Sequence, residues 1–363
     1  MSKISWTTLL ISLLLFFIPQ CEKQTPEDES IVEGIDFDEF FAPATQAEIQ
    51  SVENDWLTRE ISALDYEVHF DSTIQMISTA MDLKIISHSV DGNTHYAAVM
   101  SPAPAPADKL PLFIYNHGGD AGLSVDEFIQ VVGAICDSSD QFVFAAPSFR
   151  SEPLVFAGAT YQSTGDPSPW DRDVDDALSL IEVVLANEPL ADAGRIGVWG
   201  FSRGSCVAML MAIRDPRIER VVEFFGPTDF LGEYVQGIMH SLLTGELDDI
   251  SGLDYLDETT IQPLKNGTVT IPEARLEFIR RSPVYFIDRL PALQVHHGTA
   301  DPVVLVSQAE TLIQVMSAAG RGEPDFQYYL YDGGSHHPYS LPGSLPRAAG
   351  FMMQLTRVAL AKL

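Results

Sequence analysis

Lysine is nearly absent from the sequence: six of 363 residues, and Lys and Arg together number 21 against 51 Asp and Glu, a formal charge of −30. A chain this acidic repels a phosphate backbone, which argues against a nucleic-acid partner. Cysteine is just as scarce. Cys21, Cys136 and Cys206 supply neither a disulfide framework nor a clustered thiolate set for zinc. Cys136 and Cys206 each fall in an apolar helical pattern and read as core. Internal repeats are lacking too, and no apolar run is long enough to span a bilayer. What remains is largely apolar: 46% hydrophobic residues against 20% charged, enough for a large core and unlike a disordered acidic tail.

The chain begins with an address. Lys3 precedes an apolar run over residues 9–18, about the length of a signal-peptide core and too short for a membrane span. It ends Ile18-Pro19-Gln20-Cys21, after which the sequence turns polar. This resembles a bacterial lipoprotein signal, which implies removal of residues 1–20, lipidation of Cys21, and a cell-envelope location with membrane contact through the lipid anchor only. Ordinary export and an uncleaved anchor are the alternatives. Residues 21–60, rich in Glu, Asp, Gln and Pro, read as an acidic tether leading into one or two short helices.

Residues 61–363 read as one α/β domain. Two extended runs, 83–90 and 94–100, flank Asp91-Gly92-Asn93, residues that tolerate positive φ, and predict a β-hairpin. Short apolar runs at 112–116, 142–146, 195–200, 221–226, 293–297 and 326–331 then alternate with helical patterns at 125–136, 171–187, 203–214, 306–319 and 346–363. In the second of these, Ala177, Leu180, Ile181, Val184 and Leu185 share one helical face. Strands buried on both faces, separated by helices, predict a mostly parallel sheet with helices on either side. The interval 229–281 carries helical patterns and no strand, and is expected as a small cap over the carboxyl ends of the strands, where open α/β sheets keep their sites.

Gly200-Phe201-Ser202-Arg203-Gly204 fits G-x-S-x-G between a predicted strand and a predicted helix, the context that motif requires. A sharp turn there projects the Ser202 hydroxyl above the sheet, and the Arg203 N–H at the helix start is free to bind a developing oxyanion. Asn116-His117-Gly118-Gly119-Asp120, directly after another strand, is the natural source of a second donor. The Gly119 N–H is favoured and Asp120 is the alternative, with His117 holding the loop. A serine hydroxyl needs a base oriented by a carboxylate. Asp301 and His336 each lie just past a late strand, and the chain order Ser, Asp, His suits this architecture. Asp229 competes as the acid and His337 as the base. His296 and His297 alternate along one strand, so one is expected in the core and the other supporting a loop; no further clustered ligands accompany them to make a metal site.

These residues resemble the α/β-hydrolase fold, and more narrowly the catalytic domain of the prolyl oligopeptidase family of serine peptidases. The likeness rests on the segment from Arg195 to Gly204, on Gly226-Pro227-Thr228-Asp229, on Ser282-Pro283-Val284-Tyr285, on His297-Gly298-Thr299-Ala300-Asp301 and on Gly333-Gly334-Ser335-His336. It covers roughly residues 110–363. It implies a triad of Ser202, Asp301 and His336 acting without a cofactor on a small peptide or acyl ester. Ser205 stands where the family often has glycine, and the residues before the catalytic region are too few for the family's β-propeller. No glutamate pair to clamp a peptide amino terminus is found. A carboxylesterase acting on small or sugar acyl esters shares the same motifs, and a surface lipoprotein that has lost catalysis is the reading from another class.

Overall fold

The computed structural model describes residues 30–76, 79–134, 140–246 and 253–357. The expectations for the signal segment, Cys21 and Cys136 lie outside the described residues. Nine strands form the main sheet: β1 Leu64–Gln75, β2 Ala80–Val90, β3 Asn93–Ala103, β4 Leu110–Asn116, β5 Val143–Pro147, β6 Ala191–Phe201, β7 Ile218–Phe224, β8 Ala292–Gly298 and β9 Phe326–Tyr331. Their order is β9-β8-β7-β6-β4-β5-β3-β2-β1. Neighbours from β5 to β9 are parallel, and β1, β2 and β3 join antiparallel. The interior parallel strands are largely buried on both faces, as in β5, whose five residues are all buried, whereas β9 at the edge buries only Phe326.

The predicted hairpin is β2–β3, turning through Asp91 and Gly92, both at positive φ. β1 was not legible as a strand. It is the sheet's edge, and most of its described side chains are exposed or half-buried, so it carries little apolar period.

Eight helices matter here: α1 Gln46–Thr58, α2 Val125–Ala134, α3 Arg172–Asn187, α4 Arg203–Arg214, α5 Glu233–Thr244, α6 Ile271–Ile279, α7 Ser307–Ala318 and α8 Ser344–Met352. They cover both faces of the sheet. One apolar cluster packs Val198 and Ile114 against α3, α4 and α7; the other packs their chain neighbours Trp199 and Phe113 against α2 and α8. The last predicted helix breaks at Met353, and a short helical turn, Gln354–Arg357, follows.

The described part of the acidic N-terminal segment is docked on the body rather than strung out from it. Thr45 and Glu48 close a capping box that starts α1, and Arg275 of α6 binds Glu48 at 2.6 Å and the carbonyl of Phe40 at 2.6 Å. In the interval 229–281, α5 supplies Tyr234 and Val235 to the cavity that Ser202 and His336 line, while α6 turns toward α1. Among the described residues no helix is long and apolar enough to cross a membrane.

Candidate active site

The turn from β6 into α4 carries Ser202 at φ 53°, ψ −120°. A non-glycine residue there is strained and persists only where its surroundings over-determine it. The surroundings do so. A Cβ on Gly200 would lie 2.1 Å from the Gly204 carbonyl oxygen, and one on Gly204 would lie 2.2 Å from that of Asn116, so both sites require glycine. The Ser202 N–H donates to the Phe224 carbonyl at 2.9 Å. Ser205, the departure from the family pattern, ties the turn together: its hydroxyl donates to the Gly200 carbonyl at 2.6 Å and accepts from the Phe224 N–H at 2.8 Å.

Two loops at the carboxyl ends of β8 and β9 bring Asp301 and His336 into contact, Nδ1 to Oδ2 at 2.7 Å. The other Asp301 oxygen accepts from the N–H groups of Val303 at 2.8 Å and Val304 at 3.0 Å. Burial alone would push this carboxyl up; the bond from His336 and the two amides outweigh it and hold the group below the usual carboxylate range. With Nδ1–H donated to Asp301, His336 keeps Nε2 free to take a proton. Its ring packs on Phe225 with centroids 4.5 Å apart, and its side chain is 17% exposed. Ser202 and His336 line one cavity of about 530 Å³, together with Gly118, Gly119 and Arg203.

The rival residues are engaged elsewhere. Asp229 accepts from the Tyr285 hydroxyl at 3.0 Å and from the Leu231 N–H at 3.0 Å. His337 is exposed at the cavity rim and accepts from the Tyr339 N–H at 3.2 Å. His296 is a core residue, stacked on Phe224 and bonded to Gln294 and Tyr331. His297 supports the Asp301 loop through the Val304 carbonyl at 2.8 Å. Cys206 is buried, with its thiol facing the Arg281 carbonyl. Among the described residues no cluster of His, Cys, Asp or Glu could hold a metal ion.

The glycine loop after β4, residues 117–120, contains a feature that sequence reasoning missed. Arg203 supplies its backbone N–H at the first turn of α4, while its side chain runs beneath the loop. The guanidinium binds Asp173 at 2.8 and 2.9 Å, Glu152 at 2.5 Å and the Gly119 carbonyl at 3.2 Å, over the face of Phe149. His117 packs against the same Phe149, ring centroids 4.4 Å apart, and places Nδ1 3.1 Å from the Gly118 carbonyl. Gly119 has φ +69° and stands on the cavity wall. The one sequence signal was the density of Asp at the start of α3, where Asp171, Asp173, Asp175 and Asp176 are all buried.

No protein-family model matches the chain, and no curated protein sequence matches it. Solved structures do. Acetyl xylan esterase 1 from Thermoanaerobacterium sp. JW/SL YS485 is 18% identical, with a TM-score of 0.59 over 86% of this chain and 95% of that one. Acetyl xylan esterase from Paenibacillus sp. R4 is 15% identical, with a TM-score of 0.58 over 87% and 95%. An acylaminoacyl peptidase bound to a chloromethyl ketone is 15% identical, with a TM-score of 0.50, and the match covers 81% of this chain but 49% of that one. The chain has the α/β-hydrolase fold, with the mostly parallel sheet and the helices on both faces that its sequence predicts.

Proposed function

We propose that the protein is a serine hydrolase that cleaves acyl esters through an acyl-enzyme. The observation that carries this is that His336, held by Asp301 at 2.7 Å, shares a cavity with a strained Ser202. In this reading Ser202 Oγ attacks the acyl carbon while His336 Nε2 takes its proton and passes it to the leaving alcohol. Asp301 keeps the imidazole in the right tautomer and stabilises the imidazolium. The N–H groups of Arg203 and Gly119 receive the negative charge that develops on the carbonyl oxygen. A water molecule, deprotonated by His336, then releases the acid and restores Ser202. No step needs a cofactor.

An ester is preferred over a peptide because the acetyl xylan esterases match this chain over nearly their whole length, whereas the chain spans about half of the acylaminoacyl peptidase. The motif set shared with the prolyl oligopeptidase family supports a peptidase as the second reading. The purified protein is to be assayed on p-nitrophenyl acetate, acetylated xylo-oligosaccharides and a peptide library. Ester turnover that disappears in Ser202→Ala supports the proposal; peptide cleavage without ester turnover moves it to the peptidase, and no turnover of any of them favours a lipoprotein that has lost catalysis. We also propose that residues 1–20 are removed and Cys21 lipidated, anchoring the domain at the cell envelope. Cys21→Ser then releases the protein from membranes, and unchanged retention contradicts the lipid anchor.

A further inference from the structure

Two buried polar atoms beneath the oxyanion loop face each other without another partner: His117 Nε2 and Glu152 Oε2, 3.5 Å apart. An orphaned polar atom in such a place costs free energy, so the pair calls for an explanation. The Gly118 carbonyl can only accept, so His117 Nδ1 carries the ring's proton. Burial pushes the imidazole down to about 4, which leaves it neutral and Nε2 bare. A bond between the two orphans therefore requires the proton on Glu152. The neighbourhood favours that. Arg203 is one cation between two buried carboxylates, and Asp173 already takes it through two bonds. A second ionised carboxylate would remain uncompensated. The charged or titratable groups around Glu152 are Arg203 from α4, Asp173 from α3, and His117 and Asp120 from the loop. Burial, reinforced by Asp173 and Asp120 and opposed by Arg203, pushes the Glu152 carboxyl up to about 7.

We propose that Glu152 is a positioning residue for the oxyanion loop: with its proton on Oε2 it closes a buried ring through His117 and Arg203 that fixes the carbonyls of Gly118 and Gly119. The ring has two arms. Glu152 holds His117, which holds the Gly118 carbonyl; Glu152 and Asp173 hold Arg203, which holds the Gly119 carbonyl at 3.2 Å. In a trans peptide the N–H points opposite to the carbonyl of the same unit. Fixing the Gly118 carbonyl toward His117 therefore turns the Gly119 N–H away from the buried ring. This inference rests on the serine-hydrolase reading and adds to it a requirement in the layer beneath the catalytic groups.

The test uses Glu152→Leu and Glu152→Gln in the full-length protein, with p-nitrophenyl acetate as substrate and a fluorophosphonate to titrate Ser202. Leucine fills the space without either bond. Its kcat is expected to fall about 100-fold, the cost of losing an oxyanion donor, with KM changed less than about threefold. Glutamine accepts from Arg203 and donates to His117 Nε2, so it recovers most of the loss. A Leu variant within about threefold of wild type in kcat, a loss expressed in KM, or a Gln variant no better than Leu overturns the inference. If the Leu variant does not fold, His117→Phe decides: it keeps the stack on Phe149 without the Nδ1 donor, and an undiminished kcat overturns the proposal while a comparable loss supports it. Failure of the fluorophosphonate to label Ser202 in the wild type overturns the serine-hydrolase reading and this inference with it. A labelled wild type with unaffected variants overturns this inference alone.

Discussion

Asp301, which lies buried behind His336 at the cavity rim, and the aspartates at the start of α3 are all buried carboxylates held by cationic or potentially cationic groups, yet their partners differ. Asp301 holds the imidazole of His336, which faces a cavity. The α3 aspartates hold guanidiniums: Asp171 binds Arg59 at 2.6 Å, Asp173 binds Arg203 at 2.8 Å, Asp175 binds Arg214 at 2.5 Å, and Asp176 binds Arg150 at 2.5 Å. A guanidinium keeps its proton at any ordinary pH. The same carboxylate therefore orients an imidazole at the rim and fixes geometry in the grid of aspartate–arginine pairs at the start of α3. Asp173 bridges the two regions, because its arginine reaches the Gly119 carbonyl on the cavity wall.

Substitutions in the two regions should separate accordingly. The largest effect is expected from Asp301→Asn, which leaves the fold intact and lowers kcat by about 10⁴-fold through the wrong imidazole tautomer. Asp229→Asn should cost less than about tenfold in the same assay, and the reverse ranking would move the acid to the earlier loop. In the grid, Asp175→Ala strands Arg214 and loosens Arg59 and Arg172, all bound to that carboxylate. Chemical denaturation should show a loss of about 3–5 kcal/mol, while kcat of the folded protein stays near wild type. An activity loss as large as that of Asp301→Asn would erase the distinction between rim and grid.

A smaller effect sharpens the comparison through a carboxyl that has no cation. Glu223 on β7 is fully buried and accepts from the Gly226 N–H at 2.5 Å, with its second oxygen unpartnered. Burial, only partly offset by backbone N–H groups, pushes it up to about 8 from 4.5. The folded state then binds the proton more tightly than the unfolded state. Its stabilising contribution is complete below about pH 4.5 and is lost as pH rises toward 8, at about 1.4 kcal/mol per pH unit for one proton. In Glu223→Gln, thermal melting between pH 6 and 8 should be flatter than in wild type; an identical slope would mean that Glu223 does not titrate in this range.

The rim was legible in the sequence because its chemistry sits at strand ends. Ser202, Asp301 and His336 each follow an apolar run, and the glycines around them mark turns that only glycine fits. The interior parallel strands were legible for a related reason, being largely apolar on both faces. The grid was not. Arg203 meets Asp173 and Glu152 across 30 and 51 positions, and nothing local in the sequence assigns an arginine to a particular aspartate. β1 escaped because an exposed edge strand buries too little to leave an apolar period. Docking of α1 through Arg275 and Glu48 spans 227 positions and is likewise a tertiary fact.

The central claim is that Ser202 is the activated nucleophile, and the most direct measurement is mass mapping of a fluorophosphonate adduct on the intact protein. A single adduct is expected on the peptide containing Ser202, formed quickly in wild type, at least 100-fold more slowly in His336→Ala, and absent in Ser202→Ala. An adduct on another serine, or labelling that does not depend on His336, would contradict it.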